Sequence, residues 1–136
     1  MSANRIPNAR RTALLVCVCG LAWACSTDNF TGIHLGGGAP VSITDQLTFV
    51  PDTITVPVDG TVLWTNNSTS WHTVTADPSL AQDSASVLLP DSAAPFNSDS
   101  IAPNGTFSHR FTVAGTYKYF SIPDEASGMV GWVVVQ

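Results

Sequence analysis

From Val41 onward the chain carries a period-two alternation of apolar and polar residues, broken at short intervals by turn-forming residues. Thr53 to Val56 alternates, Asp59-Gly60 turns, and Thr61 to Thr65 reads as the next strand. Asn66-Asn67-Ser68 breaks that strand and Trp71 to Thr75 resumes an extended pattern. Thr106 to Thr112 places Phe107, His109 and Phe111 on one face, and Ala114-Gly115 then leads into Thr116 to Phe120. Val130 to Val135 is almost wholly apolar and closes the domain. Short strands with turns at this spacing predict an all-β sandwich. The stretch from Asp77 to Ser100 lacks periodicity and reads as a long loop with one short element. Trp64, Trp132 and Tyr117 are expected to fill the core, and His109 to sit among aromatic neighbours. Trp71 fits a buried or an exposed position equally well.

The N-terminal segment follows a different pattern. Arg5, Arg10 and Arg11 precede Ala13 to Ala24, a stretch without charge. A membrane-spanning helix needs about 20 apolar residues, so this one is too short. A basic start, an apolar middle and small residues at the end describe a secretory signal over residues 1–24. The run Leu21-Ala22-Trp23-Ala24-Cys25 resembles the lipobox of bacterial lipoproteins, which implies lipidation of Cys25. Residues 25–40, ending in Gly36-Gly37-Gly38-Ala39-Pro40, read as a flexible tether, with His34 solvated in it. The folded domain is then expected over 41–136. The implied place is the cell envelope or periplasm, with membrane contact through the lipid alone.

Charge narrows the partners. From Cys25 onward only Arg110 and Lys118 oppose all ten carboxylates of the chain, a formal charge of −8. Such a surface repels phosphate backbones and excludes nucleic acid as a partner. An envelope protein partner is the expectation that remains. All three cysteines, Cys17, Cys19 and Cys25, lie in the signal or at its edge. The exported domain therefore offers neither a disulfide nor a thiolate.

Four segments read together carry a family resemblance. They are Phe49-Val50-Pro51 with Ile54-Thr55-Val56, the run from Gly60 to Asn67, His72, and Pro103 to Phe107 leading into Gly115-Thr116-Tyr117-Lys118-Tyr119. Their order and spacing resemble the cupredoxins, nearest to the plastocyanin-like blue copper proteins, over most of residues 41–136. The resemblance implies an antiparallel Greek-key β-sandwich, a copper cofactor and periplasmic electron transfer. It also implies a site built from one mid-chain histidine and a C-terminal Cys-x-x-His-x4-Met loop. Here that loop reads Ser121-Ile122-Pro123-Asp124, then four residues, then Met129. His72 and Met129 occupy their family positions; Ser121 stands at the cysteine position and Asp124 at that of the second histidine.

A blue copper centre rests on a thiolate with two imidazoles and a weak axial thioether. A protonated serine hydroxyl is no replacement for the thiolate, so type 1 copper is not expected in this chain. Three readings of the cluster stay open. His72 and Asp124, with Ser121, form a hard nitrogen/oxygen site for Cu(II) or Zn(II). Ser121, His72 and Asp124 form a hydrolytic triad. Or the three hold the apex together by hydrogen bonds alone. The sequence favours the last: a non-enzymatic module that serves binding or assembly.

Overall fold

The computed structural model describes residues 37–136. The expected signal, the lipidation at Cys25, His34 and most of the tether lie outside the described residues. Nine strands form two sheets. One has β1 (Ala39–Ile43), β2 (Phe49–Val50), β4 (Gly60–Asn66) and β7 (Thr106–Phe111), in the order β2-β1-β4-β7. The other has β3 (Thr53–Val56), β5 (Thr75–Ala76), β6 (Phe96–Asn97), β8 (Gly115–Phe120) and β9 (Val130–Val135), in the order β3-β9-β8-β5-β6. β1 begins at Ala39, two residues inside the segment expected to be tether.

The sandwich is as expected, but its sheets are mixed rather than wholly antiparallel. β1 pairs parallel to β4, and β3 parallel to β9. Turns such as Asp59-Gly60 carry the chain from one sheet to the other instead of closing a hairpin, which frees each strand to pair with a distant segment. Asp59 takes a positive φ of 68° to make that step.

Alternation places the core between the layers. Val41 and Ile43 of β1, Val62 and Trp64 of β4, Tyr117 and Tyr119 of β8, and Val133 and Val135 of β9 all point inward and are buried. Trp64 packs edge-on against Tyr119 at 5.4 Å between ring centroids. Gly131, opposite Tyr119 in the β8–β9 register, leaves room for that ring; a Cβ there would collide with it. Trp132 corrects the sequence reading. It faces outward from β9, where Lys118 Nζ lies 5.0 Å from its ring centroid. In an all-apolar strand, composition cannot say which face points in.

The segment expected to be one strand from Trp71 to Thr75 is mostly irregular. Only Thr75–Ala76 is regular strand, and His72 pairs with Ile101 as an isolated bridge. The 77–100 segment holds β6 and a short 3-10 helix, Ser84–Ser86. His109 is half-buried and stacks on Phe96 at 4.2 Å, with Phe111 edge-on at 4.8 Å. Partial burial disfavours its charged form and holds its pKa below the ordinary histidine value. Its neutral form is thus the one the fold prefers, so stability is complete above the unfolded pKa of about 6.5 and is lost as pH falls below it. Phenylalanine at this position keeps the stacking and cannot take up a proton. Thermal melts of His109→Phe and the parent protein are expected to diverge in the variant's favour as pH drops from 7 to 5.

Candidate functional site

The site lies at the pole of the sandwich where β4 ends and β8 leaves its sheet. Asn66, fully buried at the end of β4, shapes the loop that delivers His72. Its Nδ2 donates to the carbonyls of Ser70 at 2.8 Å and Ile101 at 2.9 Å. Its Oδ1 accepts from the backbone N–H of Ser68 at 3.0 Å and the Ser68 hydroxyl at 2.7 Å. His72 is then pinned by two backbone bonds with Ile101. The sequence reading treated Asn66 only as a strand breaker, and the polar Asn-Asn-Ser run was the signal of this role.

From the other side comes the Ser121 to Met129 loop. A 3-10 helix spans Ile122–Ser127 and ends at Gly128, whose φ of 77° turns the chain back into β9. Ser121 N–H donates to Met129 O at 3.2 Å, and Met129 N–H to Asp124 O at 3.3 Å, so the loop is a closed unit. Met129 is buried in the core cluster. The Thr73 backbone N–H donates to Ser121 Oγ at 3.2 Å, and Ile122 N–H to Thr73 Oγ1 at 2.8 Å, which ties this loop to the His72 segment.

Asp124 joins the two. Its Oδ2 accepts from His72 Nδ1 at 2.7 Å and from Ser121 Oγ at 2.8 Å. His72 and Ser121 are almost completely buried, and Asp124 is 16 % exposed. A carboxylate has no proton to give, so Nδ1 is the donor in this contact. Nε2 is buried and has no hydrogen-bond partner. Of the residues singled out from sequence, Ser121, His72 and Asp124 thus meet in one network, with Met129 linked to it through the backbone.

The arrangement is not a hydrolytic triad. Ser121 and His72 share one carboxylate oxygen, and the hydroxyl donates to the acid rather than to the imidazole. A serine nucleophile needs the imidazole as its base, and this one is directed elsewhere. The donor set does not fit type 1 copper either: it offers an imidazole, a carboxylate, a hydroxyl and a thioether, but no thiolate. For Zn(II), ligand bonds near 2 Å in a tetrahedral shell set an imidazole nitrogen and a carboxylate oxygen about 3.3 Å apart. The 2.7 Å contact is a direct hydrogen bond with no room for such an ion between its atoms. Among the described residues no group of three or more His, Cys, Asp or Glu side chains is placed to hold a metal.

Two further carboxylates brace the apex. Glu125, which sequence reasoning passed over, is buried and accepts from the backbone N–H groups of Gln82 at 3.0 Å and Asp83 at 2.9 Å. Desolvation pushes its pKa up, but these two donors and the Ser86 hydroxyl outweigh it and hold the carboxyl below its ordinary value. Asp45 accepts from Thr69 through N–H at 2.7 Å and hydroxyl at 2.9 Å, and those bonds, the backbone one foremost, lower its pKa.

Comparison with known proteins agrees with the fold. Residues 39–136 match the family of copper binding proteins of the plastocyanin/azurin type. Chloroplastic plastocyanin of Tetradesmus obliquus is 31% identical over 121 residues, covering 89% of this chain and 77% of that protein. Plastocyanin of Scenedesmus fuscus is 33% identical over 90 residues, covering 66% of this chain and 88% of its own length. Among solved structures, a reduced Cu(I) form of an amicyanin mutant superposes with a TM-score of 0.57 at 28% identity, covering 74% of this chain and 83% of that one. A purple cupredoxin from Nitrosopumilus maritimus gives 0.54 at 25% identity, covering 72% and 99%. The chain is a cupredoxin and belongs to the plastocyanin/azurin family. That family binds copper and transfers electrons, and its members are generally not enzymes.

Two substitutions test this construction. Asn66→Ala removes the buried amide that bonds the Ser70 and Ile101 carbonyls and the Ser68 N–H and hydroxyl, and is expected to cost about 2–4 kcal/mol in urea unfolding. Glu125→Gln is expected to cost about 1–2 kcal/mol at pH 7 through the weakened bonds to Gln82 and Asp83. Because the folded carboxyl titrates below its unfolded value, its contribution is present above pH ~4.3 and fades as pH falls further, so the gap between the two proteins should narrow in acid.

Proposed function

We propose that this cupredoxin works without type 1 copper, as a non-enzymatic binding or assembly module of the cell envelope. The observation that carries the reading is Asp124 Oδ2, which accepts from His72 and Ser121 together and occupies with a hydrogen-bond network the position of the family's ligand set. A network of this kind keeps the apex folded with no ion. Export and a lipid on Cys25 belong to the same proposal and rest on the sequence pattern of residues 1–25. β1 runs parallel to β4, so the domain starts at the pole opposite Asn66 and His72. A chain anchored upstream of β1 therefore leaves the His72 pole free for an envelope partner.

Copper titration of the purified protein tests it, in a background carrying Cys17→Ser, Cys19→Ser and Cys25→Ser to remove thiols of the leader. No thiolate charge-transfer band is expected in visible absorption. The double variant Ser121→Cys with Asp124→His, in the same background, is expected to turn blue on addition of Cu(II), because the scaffold already presents His72 and Met129. A blue parent protein would overturn the proposal. A weak tetragonal Cu(II) resonance abolished by His72→Ala would replace it with the nitrogen/oxygen metal site.

A further inference from the structure

Three of the four sheet edges are blunt. β2 and β6 are two residues long and adjoin Pro51 and Pro95, while β3 has four residues and runs into Pro57. Short edges and proline keep other chains from pairing. β7 differs: Thr106–Phe111 is six residues long, without proline, at the end of the order β2-β1-β4-β7. Its register fixes which backbone groups face out. Asn66 N–H donates to Gly105 O at 2.9 Å, and the alternation of an antiparallel ladder then turns Phe107, His109 and Phe111 toward β4. The backbone N–H and C=O groups of Thr106, Ser108 and Arg110 point away from it, and among the described residues they have no hydrogen-bond partner. No carboxylate lies on β7, and Arg110 is paired with Asp59 at 2.9 Å. In a strongly acidic domain this edge thus carries no unbalanced charge.

We propose that β7 is a self-pairing edge, through which two copies of the chain join antiparallel about a two-fold axis at Ser108. An open edge takes an extended strand, and a second copy of β7 meets every feature of this one. In that register Thr106 faces the partner's Arg110 and Ser108 faces the partner's Ser108, so every outward N–H and C=O is paired. A two-fold interface must be self-complementary, and here no like charges stand opposite one another. The inner face agrees. Phe107 is set against the partner's His109, and both side chains are half-buried in the single chain. Within one chain His109 already stacks on Phe96 at 4.2 Å, and pairing continues that aromatic row across the axis. The inference is independent of what the apex holds.

Sedimentation of the purified protein, in the Cys17→Ser, Cys19→Ser, Cys25→Ser background, is expected to show a monomer–dimer equilibrium with Kd below about 1 mM. The dimer is expected to tighten as salt is raised, because screening relieves the repulsion between two acidic domains. In hydrogen exchange the amides of Thr106, Ser108 and Arg110 are expected to slow about tenfold as most of the protein pairs. Those of Phe107 and His109, already bonded to β4, are expected to change less. Ser108→Pro removes an outward N–H and no bond to β4, and is expected to abolish the dimer. Ser108→Lys sets two ammonium groups opposite each other at the axis and is expected to weaken the dimer about threefold or more. Ser108 is exposed, so far-UV circular dichroism of the lysine variant is expected to match the parent. Mixing Ser108→Lys with Ser108→Glu is expected to restore pairing, since this register alone sets residue 108 against itself. A protein that stays monomeric at about 1 mM overturns the pairing in favour of a foreign strand or an idle edge. So does a dimer indifferent to both Ser108 variants, or a mixture no tighter than Ser108→Lys alone. Association through the N-terminal segment would show that indifference and leave the three outward amides unslowed.

Discussion

One carboxylate oxygen holds the apex of this sandwich. Asp124 Oδ2 takes a hydrogen bond from His72, which sits on the loop leaving β4, and another from Ser121, which follows β8 of the opposite sheet. The two loops otherwise meet through the Thr73 N–H on Ser121 Oγ and the Ile122 N–H on Thr73 Oγ1. Burying a carboxylate and an imidazole costs free energy that their mutual attraction offsets only when the remaining polar atoms are satisfied. Here the serine hydroxyl provides the second donor and the 16 % exposure of Asp124 keeps part of its hydration. The residue at the family's thiolate position thus has a definite physical role, as a donor to the residue at the second histidine position.

Support for this pair comes from polar residues placed well outside it. Asn66 uses both ends of its amide to fix the approach to His72, and Glu125 ties the helix after Ser121 to the long 77–100 segment. Further down, Thr75 Oγ1 donates to Asn97 Oδ1 at 2.9 Å, so its bond with Thr73 Oγ1 must have Thr73 as donor. A directed chain of hydroxyls then runs from the site to Asn97 in β6. Such a chain has one consistent set of proton positions, and that fixes rotamers as packing alone would not.

Much of this was legible in the sequence, and the boundary of legibility has physical causes. The sandwich could be read because alternation records which side chains face a core, as at Val62, Trp64 and Phe111. Ser121, Asp124 and Met129 could be placed because their spacing lies within one short loop and His72 stands in a recognisable context. Sheet order could not be read, since parallel pairing of β1 with β4 and of β3 with β9 depends on which distant strands bury each other. The uniform run Val130 to Val135 concealed that Trp132 faces out. Glu125 was missed because its partners are about forty residues away, at Gln82 and Asp83, and an acid beside Asp124 looks like a solvated one. The hydrogen-bond pattern was also out of reach. That Asp124 accepts from both neighbours, rather than orienting His72 toward Ser121, is a matter of rotamers.

The same pattern decides what the apex can contribute to binding. An apex whose loops are cross-linked by Asp124, Asn66 and Glu125 is already ordered, so a partner docking there bears little entropy cost for ordering it. Among the described residues three buried polar atoms have no hydrogen-bond partner, Trp64 Nε1, Tyr119 Oη and His72 Nε2. On the proposed reading, exchanging thiolate and second imidazole for hydroxyl and carboxylate commits His72 Nδ1 to the scaffold instead of to a metal.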